Sequence, residues 1–348
     1  MTQGDPTATA RVRAGGRTRR YAAWLVACAS AIAVFAFVSV CVGPVTIDVS
    51  ETWRSFTDFD PQNTHHLLAQ LQRVPRTILA LLVGVCLGLA GAVMQALTRN
   101  PLAEPGLLGV NSGAAFAITL GIAVLGVTDV VGYMWLGLAG AAAAAVVVFL
   151  LGGARRGTNP VRLVLAGAAL TAVLGAASQL VLLNSPDDVY NSYRQWMVGS
   201  LAGRGYEVLG PVAVLAAVGA VLALALGRSL DSAVLGDDSA RALGANPAVV
   251  WTAAGIAVVL LAGAATAAAG PLVFLGLAAP HLARLIVGVG HRRLLPMSAV
   301  LGALLAVAAD ALGRIVVPGH EIGVGIMVAI IGGPFFVWIV RGRRIAAL

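Results

Sequence analysis

Lysine is absent from all 348 positions, so the 23 basic residues are all arginine. That absence excludes a phosphate-cradling P-loop within this chain, a Schiff-base amine and a catalytic ammonium. Charge of either sign is scarce, at 11% of residues, against roughly 25% in soluble domains. The three cysteines, Cys28, Cys41 and Cys86, have no paired spacing and read as small buried hydrophobes. What fills the space is apolar: 59% of the chain, with a mean hydropathy of +0.90. An ordinary cytosolic enzyme and a disordered chain are both excluded. The net charge of +8 does not point to nucleic acid, because the arginines punctuate apolar runs instead of sharing one soluble face. The pattern is that of a polytopic membrane protein, all-α.

Arg19-Arg20 followed by Leu25-Val26-Ala27-Cys28 imitates an export leader. Only four residues separate Arg20 from Leu25, fewer than the ~7–15 an apolar leader core needs. The apolar run continues to Gly43 and reads as a first membrane span that stays. A span takes ~20 apolar residues, and such runs fall at 21–43, 77–98, 106–128, 130–152, 163–183, 208–227, 248–269, 271–290, 294–317 and 321–340. Between Arg241 and Arg284 lie 42 uncharged residues, which Gly270-Pro271 breaks into two helices. The segment 271–290, interrupted by Pro280, His281 and Arg284, is expected as a shorter, broken helix. With both termini cytoplasmic, ten transmembrane helices place 17 arginines inside and 6 outside, accounting for all 23. The acidic residues run the other way, 5 inside and 10 outside. The expected organisation is a disordered basic cytoplasmic tail over 1–20 and one transmembrane domain over 21–348.

Small residues recur every fourth position, as in Gly84-Val85-Cys86-Leu87-Gly88, where lipid-embedded helices can approach closely. No Ser, Cys or Asp sits beside a plausible base, and the five histidines lack metal-ligand spacing, so no catalytic or metal site is expected. Two inner segments stand out. Over 98–113, two prolines and three glycines break an apolar hairpin, around Asn100, Pro101, Gly106 and Asn111. Irregular backbone at membrane depth is tolerated when buried in protein or lining a watery cavity; an ordinary tight turn is the alternative. Over 229–246, Asp237 suits an N-cap and Gly244 a C-cap, which predicts a short amphipathic surface helix. Leu235, Ala240 and Leu243 would form its apolar face, while Asp237, Asp238 and Arg241 stay polar; Gly236 belongs to the same coupling segment. Such a helix offers a grip to a cytoplasmic partner.

These residues resemble a family. Arg73-Val74-Pro75-Arg76-Thr77, QALTRNPLAEPGLLGVNSGAAFA (95–117), LGDDSARALGA (235–245), GPLVFLGLAAPHLARLIVG (270–288) and GGPFFVWIVRGRR (332–344) are similar to the FecCD permeases of ATP-binding-cassette importers for ferric siderophores, haem and cobalamin. The wording of 97–114 is nearest the ferric-siderophore type. The resemblance implies a second permease subunit (the same chain or another), two cytoplasmic ATPase subunits and an extracytoplasmic substrate-binding protein. It implies no cofactor on this chain, with ATP and Mg on the ATPase. It also implies alternating access along the subunit interface, with 163–183 lining the pathway and Thr158, Asn159, Pro160 and Val161 near the cytoplasmic gate. Arg73, Arg76 and Arg314, all on the outer side, are implied to dock the binding protein through its glutamates. An ion-coupled secondary carrier is the competing reading. It would need acidic or His relays within spans, and Asp310, with Arg314 four residues on, is the one embedded carboxylate that stands out.

Overall fold

The computed structural model describes residues 6–152, 160–242, 244, 246–317 and 319–342. Among these every regular element is helical. In chain order they are α1 (Pro6–Cys41), α2 (Val49–Thr57), α3 (Thr64–Leu68), α4 (Val74–Thr98), α5 (Val110–Leu125), α6 (Val130–Leu151), α7 (Pro160–Leu183), α8 (Asp187–Met197), α9 (Tyr206–Ala225), α10 (Gly227–Val234), α11 (Asp237–Ala242), α12 (Pro247–Ala269), α13 (Leu275–Val287), α14 (His291–Gly313) and α15 (Val324–Gly342).

Among the described residues seven helices are long and apolar enough to cross a membrane: Arg19–Cys41, Thr64–Thr98, Val130–Leu151, Pro160–Leu183, Tyr206–Ala225, Pro247–Ala269 and His291–Gly313. Apolar stretches of α5, α13 and α15 are shorter, so the ten apolar segments recur as helices but only seven have full crossing length. The shortening has local causes. Before α5 the chain folds back into the protein over 99–109, ending in a 3₁₀ turn at Pro105–Leu108 with Ala103, Pro105 and Leu108 buried. Before α13, Gly270 and Phe274 both take positive φ, 79° and 70°, and hold 270–274 out of helix. The broken helix expected at 271–290 is therefore a 13-residue helix.

One sequence expectation changes. Residues 6–20, expected as a disordered tail, continue the helix of the first span. Pro6 suits a first helical turn, and extending an existing helix avoids the cost of nucleation. Pro75 sits in the first turn of α4, within the helical run that α3 opens at Thr64. Its ring cannot coexist with a regular turn before it, and the helix absorbs it with a π-helical turn over Ala69–Arg73.

The centre of the bundle is the antiparallel pair α4 and α14. Lipid supplies no hydrophobic force between helices, so they associate through close packing and polar contacts. Here their backbones touch. A Cβ placed on Gly84 would lie 2.3 Å from the Gly302 carbonyl oxygen, and one on Gly88 2.2 Å from that of Ser298. The small-residue repeat of α4 is thus the seam itself. We expect Gly88→Leu to separate the pair and destabilise the protein by at least the ~1–3 kcal/mol of overpacking. A lower unfolding temperature in detergent would register it; a Gly175→Leu control, at a position with nothing within 4 Å of a built Cβ, should move it little.

Candidate transport sites at the two ends of the bundle

Segments expected on the outer side converge at one end of the bundle and enclose a cavity of about 420 Å³. Gly43, Gln72, Arg73, Arg76, Arg204, Glu207, Arg314 and Glu321 are among its walls. Four arginines face two glutamates there, so the cavity favours an anionic visitor. Tyr206, next to Gly205 of the wall, donates its hydroxyl to the Gln70 carbonyl at 3.1 Å.

Behind the wall, Asp310 is wholly buried and held by two guanidinium groups. Arg76 donates to both its oxygens, through Nε at 3.1 and 3.2 Å and Nη2 at 2.8 Å. Arg314 donates through Nη2 at 2.6 Å. The second arm of Arg76 reaches Glu321 at 2.7 Å. Two arginines and two carboxylates thus cancel. Arg314 also donates to the Ser39 carbonyl at 2.7 Å and the Val42 carbonyl at 3.1 Å, and to the Ser39 hydroxyl. Arg73 has no acidic partner at hydrogen-bond range but donates to the carbonyls of Val40 at 3.0 Å, Cys41 at 2.7 Å and Val45. The last carbonyls of α1, orphaned by the helix ending, are capped by Arg73, just before α4, and Arg314, just after α14.

Arg73, Arg76 and Arg314 therefore meet at one site, but each is at most 8% exposed and already engaged. Sequence reasoning passed over Arg204. Its Nε has no partner among the described residues, and burial pushes its guanidinium below the ordinary arginine pKa. Its place among the outer arginines was the available signal.

At the opposite end, Arg99 takes a left-handed conformation after α4 and donates Nε to the Ala233 carbonyl, at the end of α10, at 3.0 Å. Asp231 of α10 accepts from the His291 backbone N–H at 2.8 Å and pairs with its Nδ1 at 2.7 Å. The α10–α11 region is thereby seated on the inner ends of α4 and α14. Leu235, between the two short helices, is 65% exposed. Arg241 pairs with Asp238 at the surface, at 3.0 Å. Gly236 and Gly244 have φ of 106° and 82°. Ala240, expected on a partner-facing surface, is 2% exposed and packs into the protein instead; its small methyl suits an inward position. Asp237 begins α11, and Leu243 lies outside the described residues.

Of the expected pathway positions, Asn100, Pro101, Gly106, Asn111, Pro160 and Val161 fall among the described residues. Asn100 makes a tight turn, its side-chain oxygen accepting from the Leu102 N–H at 2.9 Å, followed by Pro101. Asn111 accepts from the Thr266 hydroxyl at 2.9 Å, linking α5 to α12. A Cβ on Gly106 would lie 3.1 Å from Asn111 Nδ2. Pro160 and Val161 start α7, while Thr158 and Asn159 lie outside the described residues.

The family model of the FecCD transport family matches residues 31–342. The chain belongs to the FecCD family. It is 46% identical over 273 residues to the ferric enterobactin transport system permease protein FepD of Escherichia coli, covering 78% of this chain and 81% of that protein. With the iron(3+)-hydroxamate import system permease protein FhuB of Bacillus subtilis it shares 37% identity over 339 residues, 97% of this chain and 88% of the relative. A solved metal-chelate type ABC transporter in an inward-facing conformation superposes with a TM-score of 0.81 at 28% identity, over 93% of this chain and all of that one. This FecCD chain is accordingly a multi-pass membrane protein.

Removing Asp310 tests the outer network of this FecCD protein. Asp310→Ala leaves two buried guanidinium groups without their shared carboxylate, a loss of the order of 3–5 kcal/mol. The expected result is a marked fall in unfolding temperature in detergent. A wild-type melting curve for the variant would show that the network contributes little.

Proposed function

We propose that the chain is the membrane-spanning permease subunit of an ATP-binding-cassette importer that carries a ferric siderophore across the cytoplasmic membrane. The observation that carries this reading is one bundle with an arginine-lined cavity at its outer end and an exposed helix pair at its inner end, in a FecCD chain. The cavity suits carboxylates of a substrate-binding protein. The α10–α11 pair suits an ATPase subunit, which supplies ATP and Mg chemistry from its own chain. A second permease, the same chain or another, completes the pathway, and this subunit moves the chelate by alternating access without catalysing a reaction. An ion-coupled carrier needs a titratable group free to load and unload. Asp310 is instead locked between Arg76 and Arg314. Uptake of radioiron from ferric enterobactin or a ferric hydroxamate should require the ATPase; uptake driven by an ion gradient alone would overturn the reading.

Docking on the outer side should depend on cavity charge. Arg73, Arg76 and Arg314 build the wall and its field, and Arg204 carries unpaired donor capacity. Arg204→Glu should weaken association of the binding protein with the permease in nanodiscs by about tenfold, the worth of one charge-assisted contact. The loss should shrink at high salt. Unchanged association at low salt would remove Arg204 and its cavity from the docking surface.

On the inner side Leu235 is the exposed apolar anchor. Leu235→Asp should reduce ATPase co-purification by about 1–2 kcal/mol of binding, with normal membrane insertion. Undiminished recovery of the ATPase would place its contact elsewhere.

A further inference from the structure

The helices that meet the outer cavity are the same helices that hold the inner helix pair. α4 starts beside Arg76, Arg73 preceding it, and ends at Arg99; α14 starts at His291 and carries Asp310 in its last turn, Arg314 following it. Each is a single helix, about 37 and 34 Å long at 1.5 Å per residue. Neither ridge can slide past the other, because the Gly84–Gly302 and Gly88–Ser298 approaches place backbone against backbone. At the outer end Arg76 grips Asp310 with three hydrogen bonds. At the inner end both helices take hold of the same element: α4 through Arg99 on the Ala233 carbonyl, α14 through His291 on Asp231.

We propose that α4 and α14 act as one rigid strut between the two ends, with Arg99 and the Asp231–His291 pair as the clamps that pass movement of α10–α11 to the arginine cavity. This deepens the importer reading and rests on it. Arg99, Asp231 and His291 are then positioning residues for coupling, touching neither chelate nor nucleotide. Packing alone would let α10 shift independently of α14. The Asp231 carboxylate instead accepts from both the first backbone N–H and the ring of α14's first residue, so a displacement of α10 tilts the helix whose other end holds Asp310.

The test uses the transporter captured from its own host by a tag on this chain, in nanodiscs, with ATP hydrolysis measured with and without binding protein. Asp231→Ala and Arg99→Ala should leave unstimulated hydrolysis intact while stimulation by the binding protein falls about tenfold, a coupling loss of ordinary allosteric size. Asp231→Asn keeps an acceptor oxygen for His291 and should retain stimulation. A fall in stimulation shared by Asn and Ala, or absent from both Ala variants, overturns the strut while leaving the importer reading standing. A wild-type complex with no stimulated hydrolysis overturns the importer reading itself. Hydrogen exchange on the isolated chain covers a variant that fails to assemble. Amides of 227–234 should exchange about tenfold faster in Asp231→Ala, with 84–88 and 298–302 protected as before. Unchanged exchange in 227–234 overturns the clamp.

Discussion

A carboxylate with no exposure to solvent, held between two guanidinium groups, is the constraint around which the outer half of the molecule is arranged. Taking Asp310 out of water is costly, and one ion pair seldom offsets the desolvation of both partners. The protein answers with redundancy. Arg76 and Arg314 approach the same carboxylate from α4 and from α14's own end, and Glu321 balances the second positive charge. What remains of the guanidinium donors goes to the carbonyls that α1 leaves open. Remove the carboxylate and three helices lose their common point of attachment.

This network does what apolar packing cannot do in a bilayer. Glycines allow α4 and α14 to touch, backbone against backbone. The multidentate Arg76–Asp310 contact joins the same two helices at the outer end. Shape holds the middle of the pair and charge its outer end, an assignment consistent with how rarely this chain uses charge at all.

The spans were legible from composition, because crossing a bilayer demands a run of apolar residues and little else. The short α13 was legible too, from the breaks within 271–290; the short α5 was not. There the chain spends its length on a loop folded back against α13, where a Cβ at Gly276 would come 3.0 Å from Pro105. The outer arginines were legible as positions, since the positive-inside bias disfavours them. Their partners were not: Asp310 lies 234 residues from Arg76, and nothing local joins them. The acceptors of Arg73 are main-chain carbonyls, which have no signature in sequence. Ala240 was misplaced because an alanine suits either face of an amphipathic helix, and only the packing of α11 against α12 and α10 settles it.

The two ends are secured differently. The outer end is saturated: Asp310, Arg76 and Arg314 are buried and all make several bonds, where each is strong and costly to break. The inner end is held nearer the surface. Arg99 donates Nε to the Ala233 carbonyl, and the part-exposed Asp231 accepts from His291. Arg284, beside them, donates to Gln95 at 2.6 Å while its Nε and Nη1 find no protein partner. Breaking or exchanging partners is therefore cheaper on the inner side, and donor capacity is already waiting there. A transmembrane unit stiff along its axis, fixed at the outer end and lightly held at the inner, concentrates rearrangement where its cytoplasmic contacts lie. The outer cavity then changes shape by tilt of whole helices, not by loss of the ion network that defines it.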